Sequence, residues 1–237
     1  MIVTLLFIAA LLAFVGWWLS HQGLAAKPWL ETGPPGHVPD TGASALPTAK
    51  IGLGVFLAVA GSLLVLLVSA YTMRMGMEDW RPLPQPGLLW VNTGVLVASS
   101  AALHRARAAA HRRDREGVRA WLLAGGLAAV AFLAGQVLAW QGLVSAGYRL
   151  TTNPADAFFY LITAVHGLHV LGGLAALGRT GAKLRRGGAG AAELRLGVEL
   201  CATYWHFLLA VWIVLFCVLA YSPSLAWLYA ICTGSIG

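Results

Sequence analysis

Apolar residues fall into six long blocks, at residues 2–19, 51–73, 87–103, 120–148, 157–177 and 196–221. A helix crosses a hydrocarbon core of about 30 Å with roughly 20 residues, so the blocks have the length of membrane spans. The third is short and has room to run on toward Arg107, and the fourth is long enough to tilt. Within all six, the only Asp, Glu, Lys or Arg is Glu199. The pattern predicts an all-α fold, a polytopic transmembrane bundle of about six helices.

Composition agrees, since 59% of the 237 residues are hydrophobic, far above the balance of a soluble domain. The charge adds an orientation. Segments 21–50, 104–119 and 178–195 carry every Lys and Arg except Arg74, Arg81 and Arg149. Basic loops stay on the cytoplasmic side, which puts both termini outside a bacterial inner membrane. The net charge of +7 is therefore a topology signal, and loops this short and alanine-rich exclude a nucleic-acid surface. Block 2–19 is read as a retained helix, because its basic residues follow the apolar run where a signal peptide has them in front. Cys201, Cys217 and Cys232 lack CxxC or CxxCH spacing, which argues against a disulfide framework, attached haem or a thiolate metal site.

Four regions follow: a first helix at 1–20, a cytoplasmic Pro/Gly-rich linker at 21–49, a five-helix bundle at 50–222 and an outer tail at 223–237. Pro82, Pro84 and Pro86 break helix between the second and third blocks. The basic, glycine-rich loop 179–192 is expected to lie beside anionic headgroups. Small residues recur at helix-contact spacing, namely Ala124 and Ala128, Thr163 and Gly167, and the pair Gly172 and Gly173. In lipid, such positions let helix backbones approach.

Polar groups inside the apolar blocks are the candidate chemistry. His166 and His169 share a helix face, as do Glu199, Thr203 and His206. At about 1.5 Å per residue, His166 and His206 both lie on the order of 15 Å from the ends of antiparallel helices, near one depth. One reading makes them ligands, two histidines about a haem or a His/His/Glu metal set. The other makes them hydrogen-bonded fixtures that hold two helices in register. A haem pocket needs a clear axial pair, and a carboxylate-bridged metal needs several acids where only one is present. Glu199, one turn past Arg195, has the choice of an ion pair there or a neutral acid in the bundle. Gln136, Asn92, Ser99, Ser100, Tyr160 and Thr163 read as bundle glue, while Trp90, Trp121, Trp140 and Trp227 suit the interfacial belt.

The segment FFYLITAVHGLHVLGGL (158–174) resembles the HGxHVxxG helix of subunit III of the haem-copper cytochrome c oxidases, and VELCATYWHFLLAVWIVLF (198–216) resembles that family's last helix. LLWVNTGVLVASS (88–100), FLAGQVLAW (132–140) and KIGLGVFLAVAGSLLVLLVSAY (50–71) are similar to further family helices, in the same order. The resemblance covers about residues 50 to 222. It implies a non-catalytic structural subunit that packs on subunit I, near subunit II, and binds phospholipid in a cleft. The family's haem and copper lie in those partners, so no cofactor or metal is expected in this chain. Carried over, His166, His169, Glu199, Trp205 and His206 become bundle and lipid-cleft residues, with no catalytic group among them. Two acids of the family are absent: a buried, carbodiimide-reactive glutamate matches Ala60, and a carboxylate after Tyr-Trp-His-Phe matches Leu209. The family's long form also has two helices before the 50–71 frame, where this chain has one. An accessory subunit of a nitric-oxide reductase would share these motifs, a free-standing bis-His cytochrome would use His166 or His169 with His206, and a small transporter would show an inverted repeat that this sequence lacks.

Overall fold

The computed structural model describes residues 47–84, 86–186 and 190–220. They form five helices: α1 (Thr48–Arg74), α2 (Leu88–His111), α3 (Arg115–Ser145), α4 (Pro154–Arg186) and α5 (Ala191–Ala220). All except α2 are long and apolar enough, by length and composition, to cross a membrane. The expected block at 2–19 and most of the 21–49 linker lie outside the described residues, as does the tail beyond 220. The count of six spans therefore rests on the sequence pattern alone. The described residues from 55 to 220 belong to one compact unit, and the site described below lies within it.

Local chemistry explains where the helices stop. The short third block continues to His111, because its alanine-rich second half is a strong helix former despite Arg105 and Arg107. There Arg113 turns to φ 60°, and the amides of Arg112, Arg113 and Asp114 bond back to the carbonyls of Ala108, Ala110 and Ala109. Asp114 then caps α3, its Oδ1 accepting from the Gly117 amide at 2.9 Å. After α1 the chain makes an exposed clamp, with the Arg74 guanidinium donating to both carboxylate oxygens of Asp79 at 2.7 and 2.5 Å. That contact holds the Asp79 carboxyl below the usual carboxylate range. Solvent exposure keeps its worth to stability small.

The core lies among α2, α3, α4 and α5. Helices α2 and α3 approach so closely that a Cβ on Gly125 would collide with the Leu103 side chain. Three buried or half-buried tryptophans tie helices together through hydroxyls: Trp205 Nε1 donates to Ser99 Oγ at 2.8 Å, Trp212 Nε1 to Thr93 Oγ1 at 2.9 Å, and Trp140 Nε1 to Thr163 Oγ1 at 3.0 Å. Each hydroxyl donates onward to a backbone carbonyl, of Gly125, Leu89 and Phe159 respectively. These three indole N–H groups thus find partners inside the bundle. Trp140, expected in the interfacial belt, is one of these links between α3 and α4.

Helix α1 differs from the others. It is apolar all round, and its one buried residue is Tyr71. At its Arg74 end an edge-on cluster of Tyr71, Trp80 and Phe158 packs with Ile162 and Leu215. Toward its other end, Phe56 lies against His169 and Tyr204 at ring separations of 6.3 and 6.1 Å. Between these contacts a gap opens between α1 and α4 and α5, although Leu64, Leu67 and Val68 still pack on the cluster at the Tyr71 end.

Candidate functional site

The gap behind α1 is a partly open cleft of about 290 Å³. Leu63, Leu64 and Leu67 of α1 face Leu161 and Val165 of α4 and Val211 and Leu215 of α5 across it. His166 and His169 are on its α4 wall, and Ala60 is on the α1 wall. Ala60, which the resemblance sets at the family's buried glutamate, therefore borders this space, and no carboxyl is among the described residues that line it.

Each candidate histidine is committed to a neighbour. The His166 ring is buried against Phe132 and Trp212, with ring centres 5.6 and 5.0 Å away. Its Nε2 lies 3.1 Å from the Leu208 carbonyl, which only accepts, so Nε2 carries the proton. Likewise Nδ1 of His169 donates to the Val165 carbonyl at 2.8 Å, and the His169 carbonyl accepts from the Tyr204 hydroxyl at 2.9 Å. His206 turns the other way, toward α2, with Nδ1 2.7 Å from Ser100 Oγ and Nε2 3.4 Å from His104 Nδ1. The three histidines thus share similar depth without converging on one point, and no cluster of three or more metal-ligating side chains occurs among the described residues. This geometry does not fit a haem axial pair.

Glu199 is paired where the sequence left two choices open. Its Oε1 accepts from Arg195 Nε at 3.0 Å and lies 3.1 Å from His111 Nε2. Glu199 is buried, whereas Thr203 and His206, expected on the same face, are exposed, because α5 rolls that face from the α2 contact into the open. Trp205 is fully buried at the centre of the core and bonds Ser99. Two partners escaped sequence reasoning, His104 and His111. Their seven-residue spacing on the basic half of α2 matches that of Glu199 and His206 on α5, which was the signal available.

The model of the family "cytochrome c oxidase subunit III" matches residues 52–224, the stretch that builds this bundle and cleft. The chain belongs to that family. It is similar to cytochrome c oxidase subunit 3 of Thermostichus vulcanus, 35% identical over 173 residues that cover 71% of this chain and 85% of that one. The subunit 3 of a Synechocystis strain is 35% identical over 170 residues, 70% of this chain and 72% of that one. A probable subunit 3 of Mycobacterium bovis is 37% identical over 131 residues, 54% of this chain and 62% of that one. The protein is accordingly a multi-pass membrane subunit III of a haem-copper oxidase and works within a multisubunit complex.

Proposed function

We propose that this chain is the non-catalytic, structural subunit of a haem-copper cytochrome c oxidase in a bacterial inner membrane, with its C-terminus on the outer side. It stabilises subunit I in a complex with subunit II, and the cleft behind α1 holds a phospholipid acyl chain. The observation that carries this reading is the cleft itself, walled mainly by leucines and valines and partly open, with one ring nitrogen of each of its two histidines bonded to a backbone carbonyl. A wall of this kind suits a hydrocarbon chain, and the hydrogen-bonded imidazoles read as fixtures of α4. Haem and copper sit in the partner subunits on this reading, and His166, His169, Glu199, Trp205 and His206 serve the bundle and its lipid.

The test is purification of the complex through a tagged chain, with the absorbance spectrum and bound lipid measured for wild type and for Val165→Trp, which fills the cleft from α4. The expected result is an unchanged haem spectrum with less co-purified phospholipid and a shorter working lifetime of the oxidase. A haem band carried by the chain alone would overturn the non-redox reading, and undiminished lipid in Val165→Trp would overturn the cleft assignment.

A further inference from the structure

All the acidic residues of the chain except Glu31 and Asp40 lie among the described residues, and all but one of these have water or a partner. Glu78 and Glu116 are exposed. Asp79 is clamped by Arg74, Glu193 pairs with Lys183 at 2.7 Å, Asp114 caps α3, and Glu199 meets Arg195 and His111. Asp156 has neither. It is fully buried, and neither carboxyl oxygen has a hydrogen-bond partner among the described residues.

The start of α4 explains why this carboxyl is left over. An acid in the first turn of a helix ordinarily meets the free amides there. In α4 Asn153 has taken that task. Its carbonyl accepts from the amides of Asp156 and Ala157 at 3.1 and 3.2 Å, its Oδ1 accepts from the Ala155 amide at 3.4 Å, and Pro154 has no N–H to offer. The Asn153 side chain also bonds both the amide and the carbonyl of Arg81, which ties the turn carrying the acid to the loop after α1. Cations are no closer at hand. On α4 the neighbouring titratable group is Tyr160, whose hydroxyl donates to the Tyr148 carbonyl at 2.8 Å. Residues 88–103 of α2, 129–145 of α3 and 207–220 of α5 contain no Lys, Arg, His, Asp or Glu, and Cys217 is exposed. At this end of the bundle Arg74 is held by Asp79, and Arg81 and Arg149 are exposed.

A buried carboxylate with no cation and no donor is far costlier than the neutral acid. The partial positive charge at a helix start favours the ion, but the amides that carry it here already bond Asn153. We infer that Asp156 is a proton-binding site, a neutral carboxylic acid enclosed at the start of α4, immediately before the apolar block at 157–177. Its ligand is a single proton. The protein itself buries the group, so surrounding lipid only adds to the effect. The inference does not depend on the subunit role proposed above.

Infrared difference spectroscopy of the full tagged chain, wild type against Asp156→Asn, tests it, because a protonated carboxyl has a C=O stretch that a carboxylate lacks. The expected result at neutral pH is a carboxylic-acid band that shifts in D2O, moves when isotope-labelled aspartate is incorporated into the wild type, and is missing from Asp156→Asn. The variant should accumulate and unfold like the wild type, since an amide is the closest neutral mimic of the acid. A wild-type spectrum with no aspartic-acid band at neutral pH would show that Asp156 is ionised and would overturn the inference without recourse to any variant. An Asp156→Asn chain that keeps the band would overturn it too, by assigning the proton elsewhere. So would a folding ratio that falls by roughly tenfold or more in Asp156→Asn, the mark of a lost charge pair.

Discussion

Adding one methyl group at two adjacent positions should have opposite consequences. Gly172 and Gly173 both have the spacing of a helix contact, yet a Cβ on Gly172 would meet nothing within 4 Å. On Gly173 it would lie 2.8 Å from Tyr204 Cε1 and 2.8 Å from Trp205 Cζ3, well inside van der Waals contact. The Trp205 ring has little room to retreat, being fully buried and anchored through Nε1 to Ser99. Both Gly→Ala changes gain the same helix propensity, roughly 1 kcal/mol, so the difference between them isolates the steric term. Overpacking of this kind costs about 1–3 kcal/mol. A further ~1 kcal/mol is lost if the ring moves far enough to break the indole hydrogen bond. Gly173→Ala should therefore be less stable than Gly172→Ala by about 1–4 kcal/mol, a factor of roughly five to several hundred in the folding ratio. The assay is unfolding of the full chain in mixed detergent micelles, followed by tryptophan fluorescence. Equal stability of the two variants would refute the close packing of α4 against α5.

Ser99→Ala removes the acceptor of the Trp205 indole and the donor to the Gly125 carbonyl together, so the same unfolding assay should register a loss of about 1–3 kcal/mol. A loss below about 0.5 kcal/mol would mean the hydroxyl is not the link drawn here. Ala60→Glu puts a carboxyl on the cleft wall, and a lipid-soluble carbodiimide should then label the 48–74 peptide, which in the wild-type chain contains no acid to label. An unlabelled Ala60→Glu chain would show that Ala60 does not border a lipid-accessible space.

Much of the fold was readable because a membrane span obeys one strong rule, that apolar length must match the hydrocarbon core. The blocks at 51–73, 120–148, 157–177 and 196–221 correspond to α1, α3, α4 and α5 within a few residues, apart from polar ends that hydropathy cannot register, such as the turns of α4 out to Arg186. Helix α2 was cut short for the same reason, since Arg105 and Arg107 end an apolar block without ending a helix. The site was less readable. Periodicity placed His166 and His169 on one helix and His206 at similar depth, but depth says nothing of rotation about the axis. The rotation of α5 follows from its two large indoles: Trp205 and Trp212, seven apart, both turn toward hydroxyls of α2, and His206 is carried round with them to Ser100 and His104. Ser99 and Ser100, read as common glue, therefore set the direction of a candidate ligand.

That same rotation also shapes the cleft. With Trp205 and Trp212 fixed against α2, α5 turns Val211 and Leu215 toward the cleft behind α1 while Thr203, His206 and Ala210 stay exposed. One helix thus offers an apolar surface on one flank and a small, polar one on the next, and both depend on Ser99 and Thr93 holding their indoles. Loss of a hydroxyl on α2 should consequently disturb lipid retention, although neither Ser99 nor Thr93 is among the residues that line the cleft. A change confined to the α1 wall, such as Ala60→Glu, should disturb the lipid alone.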